Sequence, residues 1–183
     1  MISRQRLSFI RSLQQKKFRQ ENRLFIAEGA KLVHEFLASD FAVEEIYSLD
    51  PSFTADAVAV GEKEMKSMSA LTTPPGVLAV IRIPDVKFDP AAVAGDWSLF
   101  LDGIRDPGNM GTIIRAADWF GVKNIICSGD CAETWNPKVV QASMGSLTRV
   151  SVHSRDAHDF FPLMKSALPG DVLPVYGTFM DGK

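Results

Sequence analysis

The sequence predicts an α/β protein built around a parallel sheet, and three observations carry that expectation. Residues 97–127 read as strand, loop, helix and strand in unbroken succession. Short apolar runs at 24–27, 43–49 and 77–83 alternate with amphipathic stretches, so the same grammar holds in the first half. The 183 residues are 46% hydrophobic, enough to fill one generous core or two small ones. No run approaches the roughly 18 to 20 apolar residues of a membrane span, and the start of the chain lacks the apolar core of a signal peptide, so a cytoplasmic protein is expected.

Taken in order, Ser3 is placed to cap a first helix with Leu7, Ile10 and Leu13 on its apolar side, ending near Gln15. Lys16 to Arg23 follows as a basic loop with one aromatic, Phe18. Leu24–Ala27 reads as a strand, and Glu28-Gly29 opens a helix through about Leu37. A carboxylate at such a junction favours a helix start on physical grounds alone. Val43–Leu49 is the next strand, Phe53–Val60 holds another short one, Glu62–Ser69 is a helix, and Val77–Ile83 is a strand after a rigid Pro-Pro-Gly turn. Pro84 to Asp96 reads as a linker. Beyond it, Trp97–Leu101 is expected to be a buried strand, followed by a helix with its apolar face at Ile113, Ala116, Ala117 and Phe120. Gly121 stands where a helix cap glycine belongs, and Val122–Cys127 is the second strand. Asn136 caps a helix with Pro137 at its first position and Gly145 at its end. Thr148–Val152 is then a strand, Asp156–Leu168 a helix and Val172–Thr178 a last strand.

Charge and motifs narrow the chemistry. Residues 1–23 carry seven cations against Glu21 alone, a net +6 that leaves −8 for the rest. Such asymmetry suits a face that meets phosphates, with Arg4, Arg11, Lys16, Lys17, Arg19 and Arg23 as the contacts; a solvated charge run explains the same residues. The two cysteines, Cys127 and Cys131, match no zinc spacing and read as reduced structural thiols. Gly103, Gly108 and Gly111 are not spaced as a dinucleotide fingerprint, and no Lys-Ser/Thr follows as a phosphate loop requires, which weakens an unrelated nucleotide-binding enzyme. In open α/β sheets ligands sit at the carboxyl ends of strands, so Asp102 to Met110 is the first place to look. The helix that follows turns Arg115 outward, with Trp119 one turn later; a solvated arginine or a partner surface both fit.

At these residues the chain resembles the SpoU (TrmH) family of RNA ribose 2′-O-methyltransferases. The likeness runs through Asp106-Pro107-Gly108-Asn109-x-Gly111-Thr112-Ile113-x-Arg115-x-Ala117, then Asn136-Pro137-Lys138-Val139-Val140 and Ala142-Ser143-Met144-Gly145-Ser146. In the first half, Phe25-Ile26-Ala27-Glu28-Gly29-x-Lys31-Leu32-Val33-x-Glu35 and Thr73-Pro74-x-Gly76-Val77-Leu78-Ala79-Val80 look like the ribosomal-protein-L30-like domain that precedes many such enzymes. The resemblance implies an RNA substrate-binding domain over residues 1–90 and a Rossmann-like, parallel-sheet SPOUT methyltransferase domain over 91–183. It also implies S-adenosylmethionine as methyl donor, no metal, a homodimer, and Arg115 and Asn109 in the catalytic centre. The family's later Gly-x-Glu and Ser-Leu-Asn motifs, which form its knot, are absent from these 183 residues, so a C-terminally truncated sequence is expected. Thr178, Phe179 and Met180 are expected at the strand end that lines the cofactor.

The function so implied is methylation of a ribose 2′-hydroxyl in structured RNA, ribosomal RNA first and transfer RNA second. The alternative is a non-catalytic RNA-binding protein with an incomplete methyltransferase domain.

Overall fold

The computed structural model describes residues 2–167 and 174–178. Helix α1 (Arg4–Ser12) begins where the Ser3 hydroxyl accepts from the Arg6 N–H at 3.1 Å. The expected basic loop is instead a helix, α2 (Lys16–Asn22), because Arg19 turns inward to a buried ion pair with Glu133 and Lys17 lies one turn from Glu21. Arg23 ends it in the left-handed region at φ 55°. Strand β1 (Leu24–Glu28), α3 (Ala30–Leu37), β2 (Val43–Ser48), β3 (Ala57–Ala59), α4 (Glu62–Met68) and β4 (Val77–Arg82) complete the first half.

This sheet runs β1-β4-β2-β3 and is mixed: β4 lies antiparallel to both β1 and β2, while β3 is parallel to β2. The apolar run Val77–Ile81 of β4 follows from burial on both faces. Leu78 and Val80 pack with Ile10, Leu13, Met65 and Met68 on one side, whereas Ala79 and Ile81 share the other with Phe25, Phe36, Met110 and Ile114. Glu28 does not serve the start of α3. Its buried carboxylate accepts from Ser69 Oγ and from the Ala70 N–H at 2.8 Å, and burial pushes the carboxyl above the usual range against those two bonds.

The expected linker contains a short helix, α5 (Pro90–Ala94), which Asp89 caps by accepting from the Ala91 N–H. There follow β5 (Ser98–Leu101), α6 (Pro107–Trp119), β6 (Asn124–Cys127) and α7 (Pro137–Ser143). A 3-10 turn (Ser146–Thr148), β7 (Ser151–Ser154) and α8 (Ala157–Ala167) come last. All three strands are parallel, in the order β5-β6-β7. Among the described residues β5 is an edge, so its four residues are half-buried rather than buried. The strand expected at Thr148–Val152 starts three residues later because the turn closes first, with the Thr148 N–H donating to Gly145 O at 3.0 Å. Leu99, Leu101, Ile125 and Cys127 face α6 and α7, while Phe100 and Ile126 face Phe160 and Met164 of α8 and Val93 of α5. Residues 174–178 form no strand, unlike the expected Val172–Thr178; Val172 and Leu173 lie outside the described residues.

The halves share one core. Phe25 of β1 stacks on Trp135 at 4.7 Å between ring centroids. Arg149 ties Glu35 of α3 (2.7 Å) to Asp118 of α6 (2.9 Å). The hydrogen bonds from Arg149 and Ser146 hold the Asp118 carboxyl below the usual range, although partial burial opposes them.

Candidate active site and RNA-facing surface

The loop sequence before Asn109 has a local structural job. Asp106 caps α6 by accepting from the Asn109 N–H at 2.8 Å, Pro107 fills the first helical position where no donor is needed, and Thr112 Oγ1 donates to Gly108 O at 2.9 Å. Gly111 is there for packing: a Cβ on it would stand 2.5 Å from Ala142 Cβ and 2.7 Å from Val139 O of α7. That contact rotates the helix relative to the expectation. Its buried face is Met110, Gly111, Ile114 and Ala117, whereas Ala116 is exposed and Phe120 is 79% exposed.

The rotation still leaves Asn109, Thr112, Arg115 and Trp119 on the outward side. Asn109 and Arg115 are six positions apart, so they project about 120° apart around the helix and about 9 Å apart along it. They flank Thr112 and do not touch. Arg115 has no ion-pair or hydrogen-bond partner among the described residues, so its planar fork of donors is free to meet an oxygen-rich ligand. Trp119, 86% exposed, stands one turn beyond it.

The carboxyl end of the sheet is a bonded rim. The Gly103 N–H donates to Ser128 Oγ at 2.9 Å, and Ser128 in turn donates to Asp130 at 2.7 Å. Arg105 pairs with Asp130 at 3.1 Å, and Ala132 N–H donates to Ile104 O at 2.7 Å. The loops after β5 and β6 are thereby fixed to each other. Bonds from Ser128 and then Arg105 hold the Asp130 carboxyl below its ordinary range. Burial, with Cys131 beside it, pushes the Cys127 thiol up to about 12, which keeps it protonated and rules it out as a thiolate nucleophile at neutral pH.

The basic residues divide. Arg19 is 1% exposed, donates to Leu13 O at 2.9 Å and is paired with Glu133, so the expected phosphate contact is a structural clasp. Arg4 and Arg11 are exposed on α1, and Lys17 is exposed with Glu21 at 3.9 Å. Lys16 and Arg23 line a cleft of about 460 Å³ between α2 and the carboxyl ends of β6 and β7. Of the expected cofactor residues, Thr178 is exposed and lies outside this cleft, while Phe179 and Met180 fall outside the described residues. Sequence reasoning missed the cleft and the Glu35–Arg149–Asp118 bridge, because each assembles residues from distant elements with no local signal.

With this geometry in view, the chain can be set beside known proteins. Residues 4–79 match the MRM3-like substrate binding domain, and residues 96–176 match the SpoU rRNA Methylase family. The 23S rRNA (guanosine(2553)-2′-O)-methyltransferase RlmP of Bacillus subtilis is 29% identical over 175 residues, covering 92% of this chain and 67% of that protein. Mitochondrial rRNA methyltransferase 3 of Xenopus tropicalis is 29% identical over 167 residues, covering 83% of this chain but 40% of that one. The crystal structure of an AdoMet-bound rRNA methyltransferase from Sinorhizobium meliloti superposes with a TM-score of 0.79 at 28% identity, over 91% of this chain and 67% of that one. The chain thus spans from less than half to about two thirds of the length of these relatives. A stretch that matches the MRM3-like substrate binding domain precedes a parallel three-stranded unit whose first helix displays Asn109 and Arg115, and residues 96–176 of the chain form a SpoU methylase domain.

Proposed function

We propose that this protein transfers a methyl group from S-adenosylmethionine to a ribose 2′-hydroxyl of ribosomal RNA. The observation that carries the reading is the display of Asn109 and Arg115 on the outward side of α6, the helix that follows the parallel strand β5, within a SpoU methylase domain. Ribosomal rather than transfer RNA follows the names of the relatives. The domain boundary is placed near residue 90, in the stretch between β4 and β5 that holds only α5.

The cofactor supplies a methyl on a sulfonium, an electrophile already activated for displacement. The described residues do not by themselves enclose it, since Thr178 is exposed outside any strand. What this chain's own groups do concerns the acceptor. The 2′-hydroxyl is a weak nucleophile, so donors aimed at the oxygen as it gains negative charge lower the barrier. Arg115 holds that oxygen together with a neighbouring phosphate through its planar fork of donors. Asn109 offers a donor and an acceptor to fix the ribose from the other flank.

Exposed Trp119 and Phe120 beside Arg115 support a homodimer in which a second copy covers this end of α6 and closes the site. The reading places the protein in the cytoplasm. No helix among the described residues is long and apolar enough to cross a membrane. The test is methyl transfer from labelled cofactor to ribosomal RNA, with the product nucleotide mapped by resistance to alkaline cleavage. Transfer by the native chain and none by Arg115→Lys is expected; RNA binding with no transfer by either chain would favour the non-catalytic alternative.

A further inference from the structure

Arg115 accounts for the acceptor ribose but lies outside the cleft that Lys16 and Arg23 line. That cleft of about 460 Å³, well within the range of small-ligand sites, opens where β6 ends at Cys127 and β7 at Ser154. The carboxyl ends of parallel strands are where sheets of this class take ligands. It lies toward β7, whereas α6 and its catalytic candidates start from β5 at the other edge of the three strands.

Its chemistry is that of a nucleotide cradle. Lys16 and Arg23 stand on one wall as exposed cations, and the one carboxylate of the lining, Glu133, is already matched by buried Arg19, so the excess charge is positive. Gln20, Thr134 and Ser154 line it with side-chain polar atoms that have no hydrogen-bond partner among the described residues. Buried His153, whose ring meets Phe88 edge-to-face at 5.2 Å, also lines it; burial, with Arg155 nearby, favours its neutral imidazole, which both donates and accepts. A paired duplex keeps its base edges inside, so a walled recess of this size admits an unstacked nucleotide rather than a helix.

We propose that this interdomain cleft is a subsite for one unpaired nucleotide of the RNA substrate, with a phosphate on Lys16 and Arg23 and the base against Gln20, Thr134, His153 and Ser154. The proposal rests on the reading of the chain as an RNA methyltransferase. It adds that the substrate must carry a single-stranded nucleotide near the methylated one.

The experiment measures binding of the whole chain to an RNA hairpin with an unpaired loop, to the same stem without a loop, and to guanosine monophosphate. Lys16→Glu/Arg23→Glu is expected to weaken loop-RNA binding about tenfold or more and to erase the preference for loop over duplex. Thr134→Trp, which fills the cleft without changing charge, is expected to erase the same preference. Arg4→Glu/Arg11→Glu, on α1, is expected to weaken both RNAs alike. Crosslinking of the unaltered chain to hairpins carrying 4-thiouridine in the loop is expected to label the segments 16–23 or 127–135, a readout that stands even if a variant fails to fold. Loop-RNA affinity and preference unchanged in both cleft variants, or crosslinks confined to other segments, would overturn the proposal while leaving the methyltransferase reading intact. Guanosine monophosphate that fills the cleft without competing with RNA would overturn it in favour of a free nucleotide. If the unaltered chain binds neither RNA, both readings fall together.

Discussion

Gly111 of α6 and Ala142 of α7 meet so closely that a methyl group on the glycine would stand 2.5 Å from the alanine's own, with Val139 O at 2.7 Å. Alanine favours a helix interior over glycine by about 1 kcal/mol. Forcing a methyl against a backbone oxygen in a packed contact costs about 1–3 kcal/mol. The clash wins, because the neighbour is main chain and cannot swing aside. Gly111→Ala is therefore expected to lower the unfolding free energy by up to about 2 kcal/mol, read by urea denaturation, and to shift Asn109 and Arg115 with the displaced helix. A variant as stable as the native chain would show that α6 and α7 slide freely.

Arg115→Lys keeps the charge and loses the bidentate fork. Methyl transfer is expected to fall by at least about a hundredfold, the scale of a lost transition-state donor, while RNA affinity changes little because phosphate attraction persists. Filter binding and single-turnover transfer on the same RNA separate the two. Full transfer in the lysine variant would remove Arg115 from the chemistry.

The Arg19–Glu133 pair joins α2 to the loop after β6 with the guanidinium out of solvent. Removing one member of a buried pair costs about 3–5 kcal/mol, more than removing both. Arg19→Met and Glu133→Leu are each expected to destabilise by about 2–4 kcal/mol, at the low end because Glu133 keeps some solvent contact, with the double variant losing less than the sum of the two. A double-mutant cycle from denaturant midpoints reads the coupling; additive losses would mean the clasp contributes nothing.

Asp118 carries a pH signature. Its folded carboxyl is held below the unfolded value, mainly by Arg149 and Ser146 against the cost of burial. The stability it contributes is present above the unfolded value near pH 4 and is lost as pH falls through the folded one. Asp118→Asn is expected to flatten the loss of stability in that acid window and to leave the slope above pH 6 unchanged. Denaturation midpoints from pH 2.5 to 7 check it; parallel curves would contradict the bridge.

Legibility in the sequence followed the range of the forces involved. Local signals sufficed for the capped starts of α1, α6 and α7, where Ser3, Asp106 and Asn136 bond their own helices, and for the apolar strands. They failed where a distant partner decided the outcome. Lys16 to Asn22 became a helix because Glu133 waits for Arg19, and the face of α6 rotated because Val139 and Ala142 press on Gly111. Asn109 and Arg115 were readable as a spacing; that Thr112 stands between them on an open face was not.

The stacking of Phe25 on Trp135, within a core that also takes in Phe36, Met110 and Ile114, bears on how such proteins exchange parts. A front half transplanted from a relative would arrive with its own aromatic geometry and leave large apolar rings bare on both sides of the graft. Chimeras are therefore expected to stay soluble only when β1, α3 and the loop around Trp135 travel together, which ties the evolution of the first half to that of the second.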